Sequence, residues 1–62
     1  MNIGKDQKLE LLNGHLFVDG KQFSITYPRE MAIGVEENKL VTVYGTKMIN
    51  YWDADEIEGF YT

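Results

Sequence analysis

Apolar and polar residues alternate with a period of two over residues 8–27, KLELLNGHLFVDGKQFSITY, with interruptions at Asn13 and Gly14 and at Asp19 and Gly20. That period places successive side chains on opposite faces of a strand. Asn-Gly and Asp-Gly adopt the positive φ of a two-residue hairpin loop at little cost. The stretch therefore predicts a three-stranded meander. The first loop sets Leu12 opposite His15, Leu11 opposite Leu16 and Leu9 opposite Val18. The second sets Val18 opposite Lys21, Leu16 opposite Phe23 and His15 opposite Ser24. Both registers put Leu9, Leu11, Leu16, Val18, Phe23 and Ile25 on one face, and a one-residue slip in either would break the agreement. Glu10, Leu12, His15, Phe17, Gln22 and Ser24 fall on the other face. The alternative is one long bent strand with a bulge at Asn13 and Gly14.

Pro28 interrupts the pattern, since it cannot donate to a ladder and holds Tyr27 extended. A connection with one helical turn over residues 28–31 is expected here. A second hairpin follows, with residues 31–35 apolar and 40–44 β-branched and aromatic. A three-residue loop of Glu37, Asn38 and Lys39 sets Val35 opposite Val41 and Ile33 opposite Val43, burying the most β-branched surface. A two- or four-residue loop sets Val35 opposite Leu40 and turns Val41 and Val43 outward. A further turn at Gly45, Thr46 and Lys47 sets Val43 opposite Ile49 and Val41 opposite Tyr51, leaving Met48, Asn50 and Trp52 on the other side. Asp53, with Glu56 three positions on, has the spacing of a helix N-cap. Gly59 limits that helix to a single turn, expected as 3₁₀, and residues 57–61 read as a short closing strand.

The predicted fold is all-β: a small single domain, either a strongly bent antiparallel sheet or an SH3-like barrel, with five to six short strands and one helical turn near the C-terminus. The resemblance to SH3-like barrels lies in the order of elements alone. Residues 1–7 are polar apart from Ile3 and read as a flexible lead-in to a domain over residues 8–62.

The chain has 62 residues and no Cys, so neither a disulfide nor a thiolate metal site can staple it. A domain this small buries only about 60% of the surface its unfolded chain exposes, and its stability is marginal. Eight aromatic residues are then a large share of the apolar supply. Phe23, Tyr51 and Phe60 are expected in the core. The net charge of −4 and the scatter of six Lys and Arg side chains speak against binding DNA or RNA directly. No secretory leader is legible in MNIGKDQKLE, and no apolar run approaches the roughly 20 residues of a membrane span. A cytoplasmic protein is expected.

Candidate chemistry is sparse. His15 is the only histidine, stands in a turn and has no second His or Cys to complete a site. Asp53 and Asp55 fit the first and third positions of an EF-hand loop. Ile57 and Glu58 then occupy positions needing a ligand and a Gly. Glu30, Glu36 and Glu37 lie in loops or turns without a pocket for paired-carboxylate chemistry. Ser24 lacks the glycines of a nucleophile elbow. Gly45, Thr46 and Lys47 lack the glycine-rich start of a phosphate loop. No enzyme activity, metal or cofactor is expected.

The aromatic residues carry the functional expectation. The registers leave Leu12, Phe17, Leu40, Tyr44, Met48 and Trp52 on the face away from the first core. An outer patch of Phe17, Tyr44, Met48 and Trp52 beside Asp53 and Asp55 would make a partner-binding surface with Trp52 as its hot spot. The expected function is thus a non-enzymatic, acidic protein-binding module, of the size and charge common among phage and mobile-element inhibitors of host proteins. Homodimer formation would be one way to bury the second face. The alternatives are a nucleic-acid-binding barrel with bases stacked on Phe17, Tyr44 or Trp52, and a structural subunit without activity.

Overall fold

The computed structural model describes residues 1–29, 32–44 and 48–62. The side chains of Ala32, Tyr44 and Met48 lie outside the described residues. So do the turn expected at Gly45, Thr46 and Lys47, Glu30, and the end of the helical turn expected at residues 28–31. Among the described residues seven strands follow one another: β1 (Leu9–Leu12), β2 (His15–Val18), β3 (Lys21–Tyr27), β4 (Ala32–Glu36), β5 (Lys39–Tyr44), β6 (Met48–Trp52) and β7 (Glu58–Tyr61). A 3₁₀ turn, Ala54–Glu56, precedes β7. The strands form two antiparallel sheets, ordered β1-β2-β3-β7 and β4-β5-β6, and the described strands do not close into a barrel. No helix among the described residues is long and apolar enough to cross a membrane.

The meander has the register its loops dictate. Leu9 faces Val18, Leu11 faces Leu16 and Leu16 faces Phe23. Asn13, Gly14, Asp19 and Gly20 all take positive φ, between 50° and 81°. Asp19 fastens the second loop to the start of β1. Its Oδ1 accepts the Lys8 N–H at 2.9 Å, and its own N–H donates to the Lys8 carbonyl at 2.9 Å. The inner face then buries Leu9, Leu16, Val18 and Phe23, with Ile25 packed against them.

β7 completes this sheet alongside β3, with Phe23 opposite Tyr61 and Ile25 opposite Gly59. The Phe23 and Tyr61 rings meet edge to face at 5.4 Å. Residues 1–7 are not a loose lead-in, because they pack as part of the domain. Ile3 is buried, its N–H donates to the Ile57 carbonyl, and the Met1 carbonyl accepts the Gly59 N–H.

The second sheet corrects the register expected between β4 and β5. The loop has two residues, Glu37 and Asn38, both at positive φ, so Val35 faces Leu40 and Ile33 faces Thr42. The reason lies outside the hairpin. Asn38 Oδ1 accepts the Leu9 N–H at 2.8 Å, and its Nδ2 donates to the Gln7 carbonyl at 3.1 Å. A buried backbone N–H left unpaired is costly, and this turn places an amide where it satisfies one on the neighbouring sheet. The β5–β6 register is as the sequence implied, with Val43 opposite Ile49 and Val41 opposite Tyr51. Its buried face is the opposite one: Leu40 and Thr42 are fully buried, while Tyr51 and Ile49 are more than half exposed.

Candidate functional site

The core draws Leu40 inward and packs Trp52 against it. Trp52 lies opposite Leu40 on β6. Its indole N–H donates to Thr42 Oγ1 at 2.6 Å, and the Tyr27 ring meets it edge to face at 5.6 Å. A half-buried Trp held on three sides is part of the packing between the sheets, so it is not the exposed centre of a patch. Phe17 is half-buried on the other sheet, opposite Glu10 and Gln22 and facing away from that sheet's core side. The two aromatic residues expected to share a surface therefore lie on different sheets, one turned outward and one inward. Tyr44 and Met48 are backbone partners at the ends of β5 and β6, and their side chains lie outside the described residues.

Asp53 and Asp55 are exposed and, with Glu56, bring carboxylate oxygens within 4.8 Å of one another. Asp53 does not cap the 3₁₀ turn with its side chain. It pairs with Lys39 at 3.3 Å, and Asp55 pairs with Lys5 at 3.8 Å. Two of the three carboxylates thus already face a lysine, in exposed pairs of small energy. A hollow of about 340 Å³ opens here between Lys5, Glu37, Asn38, Lys39, Asp53 and Ala54, with charges of both signs on its walls. His15 is exposed on β2.

Sequence reasoning missed the outer face of β4-β5-β6. Alternation from the buried Leu40 and Thr42 turns Val41 and Val43 outward, opposite Tyr51 and Ile49. Tyr51 is 59% and Ile49 56% exposed, and both valines are half-buried. Gly34, opposite Val41, leaves open space beside them. The apolar strip ends in charge: Tyr51 borders a hollow of about 550 Å³ whose other walls are Glu36, Glu37 and Lys39. The signal for this face was present in the alternation of residues 40–44 and 48–52. It gives two possible faces, and burying the most β-branched surface favours the wrong one.

Comparison of the chain with protein-family models, with curated proteins and with solved structures finds no match.

Proposed function

We propose that this chain is a non-enzymatic protein-binding module that docks a partner on the outer face of β4-β5-β6. The observation that carries the reading is the adjacency of Ile49 and Tyr51, each more than half exposed, on one face of β6 with Val41 and Val43 beside them. Isolated exposed apolar residues are ordinary, but a contiguous strip with a charged border is the make-up of an interface. Tyr51 is its natural anchor, since tyrosine combines a large apolar ring with a hydrogen-bonding tip. Glu36, Lys39 and Asp53 form the polar rim. The net charge of −4, with Lys5 and Lys39 already set against aspartates, disfavours a nucleic-acid partner.

The test is affinity capture from a cell lysate with three immobilised forms: wild type, Ile49→Lys/Tyr51→Lys, and Phe60→Lys. Phe60 is 52% exposed on the other sheet and serves as the control. A partner held by wild type and Phe60→Lys and lost from the double variant supports the face. Equal recovery on all three rejects it. Trp52→Ala is unsuited to this test, because it removes packing against the core.

A further inference from the structure

The two sheets have four edges, and the chain itself attends to three of them. The outer edge of β7 takes Met1 and Ile3 through the Gly59 N–H and the Ile57 carbonyl. The start of β1 is capped by Asn38, and β4 lies beside β1. β6 is different: no described residue pairs with its outer side, and its sequence, MINYW, carries no charge, Pro or Gly. Edge strands are usually blunted by charge, proline or a cover, because their open N–H and C=O groups recruit another strand.

We infer that β6 is a self-pairing edge, on which two copies of this chain join antiparallel about Asn50. The strand is self-complementary in that register. Ile49 falls opposite the second copy's Tyr51, a β-branched–aromatic pair of the stabilising kind. Met48 falls opposite Trp52. Asn50 meets its own counterpart, and an amide is both donor and acceptor. A two-fold contact requires such self-complementarity. Although each chain carries −4, this strand sets no like charges against each other.

The pairing rests on the docking reading only in sharing Ile49 and Tyr51, and it enlarges that face. Three strands of five, six and five residues cover roughly 250 Å² in plan, at about 4.8 Å between strands and 3.3 Å per residue. Stable interfaces take roughly 800 Å² of accessible surface from each side. Directly opposed residues in a ladder point to the same face, so the pairing doubles the outer strip across six strands.

Sedimentation velocity of the full chain from about 10 μM to about 1 mM, the range of weak association, reads the pairing directly. The mass is expected to rise from 7.2 kDa toward twice that value. Ile49→Lys/Tyr51→Lys and Ile49→Glu/Tyr51→Glu should each stay monomeric, since each sets like charges opposite one another, and an equimolar mixture of the two should dimerise. For the register, Ile49→Cys mixed with Tyr51→Cys should oxidise several-fold more to the mixed disulfide than to either symmetric one. A strict monomer, a dimer untouched by the lysines, or an excess of symmetric disulfides overturns the inference. These outcomes separate it from the docking reading. A dimer that captures no partner upholds the pairing and removes the docking face. A monomer whose captured partner is lost with Tyr51→Lys does the reverse.

Discussion

The indole N–H of Trp52 donates to the hydroxyl of Thr42 at 2.6 Å, and Thr42 is fully buried. This bond explains how a polar side chain occupies the interior of the second sheet. Thr42→Val keeps the shape and adds apolar character, yet it leaves the half-buried indole donor without its partner. A loss of about 1–2 kcal/mol is expected, read from urea denaturation followed by the fluorescence of this single Trp. An unchanged or raised midpoint would show that the bond adds nothing to the packing around it.

Glu37 and Asn38 both sit at positive φ, yet among the described residues only Asn38 makes contacts that repay the conformation. Substitution at the two positions should therefore have opposite signs. Glu37→Asn relieves a left-handed backbone that costs an ordinary residue about 1–2 kcal/mol, and should gain up to about 1 kcal/mol. Asn38→Gly suits the turn better by local rules alone, but it releases the Leu9 N–H and the Gln7 carbonyl. It should lose about 1–2 kcal/mol. Faster amide exchange at Leu9 in Asn38→Gly is the local check.

Two strand glycines should likewise respond in opposite ways. A Cβ on Gly59 would run into the Ser24 carbonyl oxygen and stand 2.9 Å from the Ser24 carbonyl carbon, backbone that cannot move aside without breaking the β3–β7 ladder. Gly59→Ala should cost about 3 kcal/mol or more, at the severe end for single substitutions, and disperse the amide spectrum poorly. Gly34 has open space at the same point. Gly34→Thr should be neutral or add up to about 1 kcal/mol, because glycine is a weak strand former. Matching midpoints for the two variants would contradict this account.

How far each determinant lies along the chain decides what is legible in the sequence. The meander was legible because Asn13, Gly14, Asp19 and Gly20 fix its loops locally, and the two hairpins constrain each other. The loop after Glu36 was not, because Asn38 answers to Gln7 and Leu9, about 30 residues away. A three-residue loop there reverses the face of Val41 and Val43, and so exchanges core and surface for Leu40, Ile49, Tyr51 and Trp52. The expected patch comes apart for the same reason: a three-residue loop puts Trp52 outside with Phe17 and Tyr51 in the core, and the structure does the reverse for Trp52 and Tyr51. Phe60 was misplaced separately. It faces outward opposite Ser24, while Gly59 brings β7 against β3.

Ile3 gave no periodic signal, as a single apolar residue among polar neighbours, yet it is only 2% exposed. Further contacts hold its segment. Asn2 Nδ2 donates to the Asp55 carbonyl at 2.8 Å, the Gly4 N–H donates to Gln7 Oε1 at 2.7 Å, and Gln7 Nε2 donates to the Tyr61 hydroxyl at 3.0 Å. Together they lay residues 1–7 over β7 and the 3₁₀ turn, covering a sheet edge and closing one end of the core. A domain of this length has a total stability of roughly 3–9 kcal/mol at 0.05–0.15 kcal/mol per residue. Ile3→Ala should remove about 2–4 kcal/mol, a large part of that total, and deletion of residues 1–7 should unfold the domain at room temperature. Circular dichroism of the truncated chain and urea midpoints of the point variant measure both. A truncated chain that keeps its β signal and a cooperative transition would show that the segment only decorates an independently stable pair of sheets.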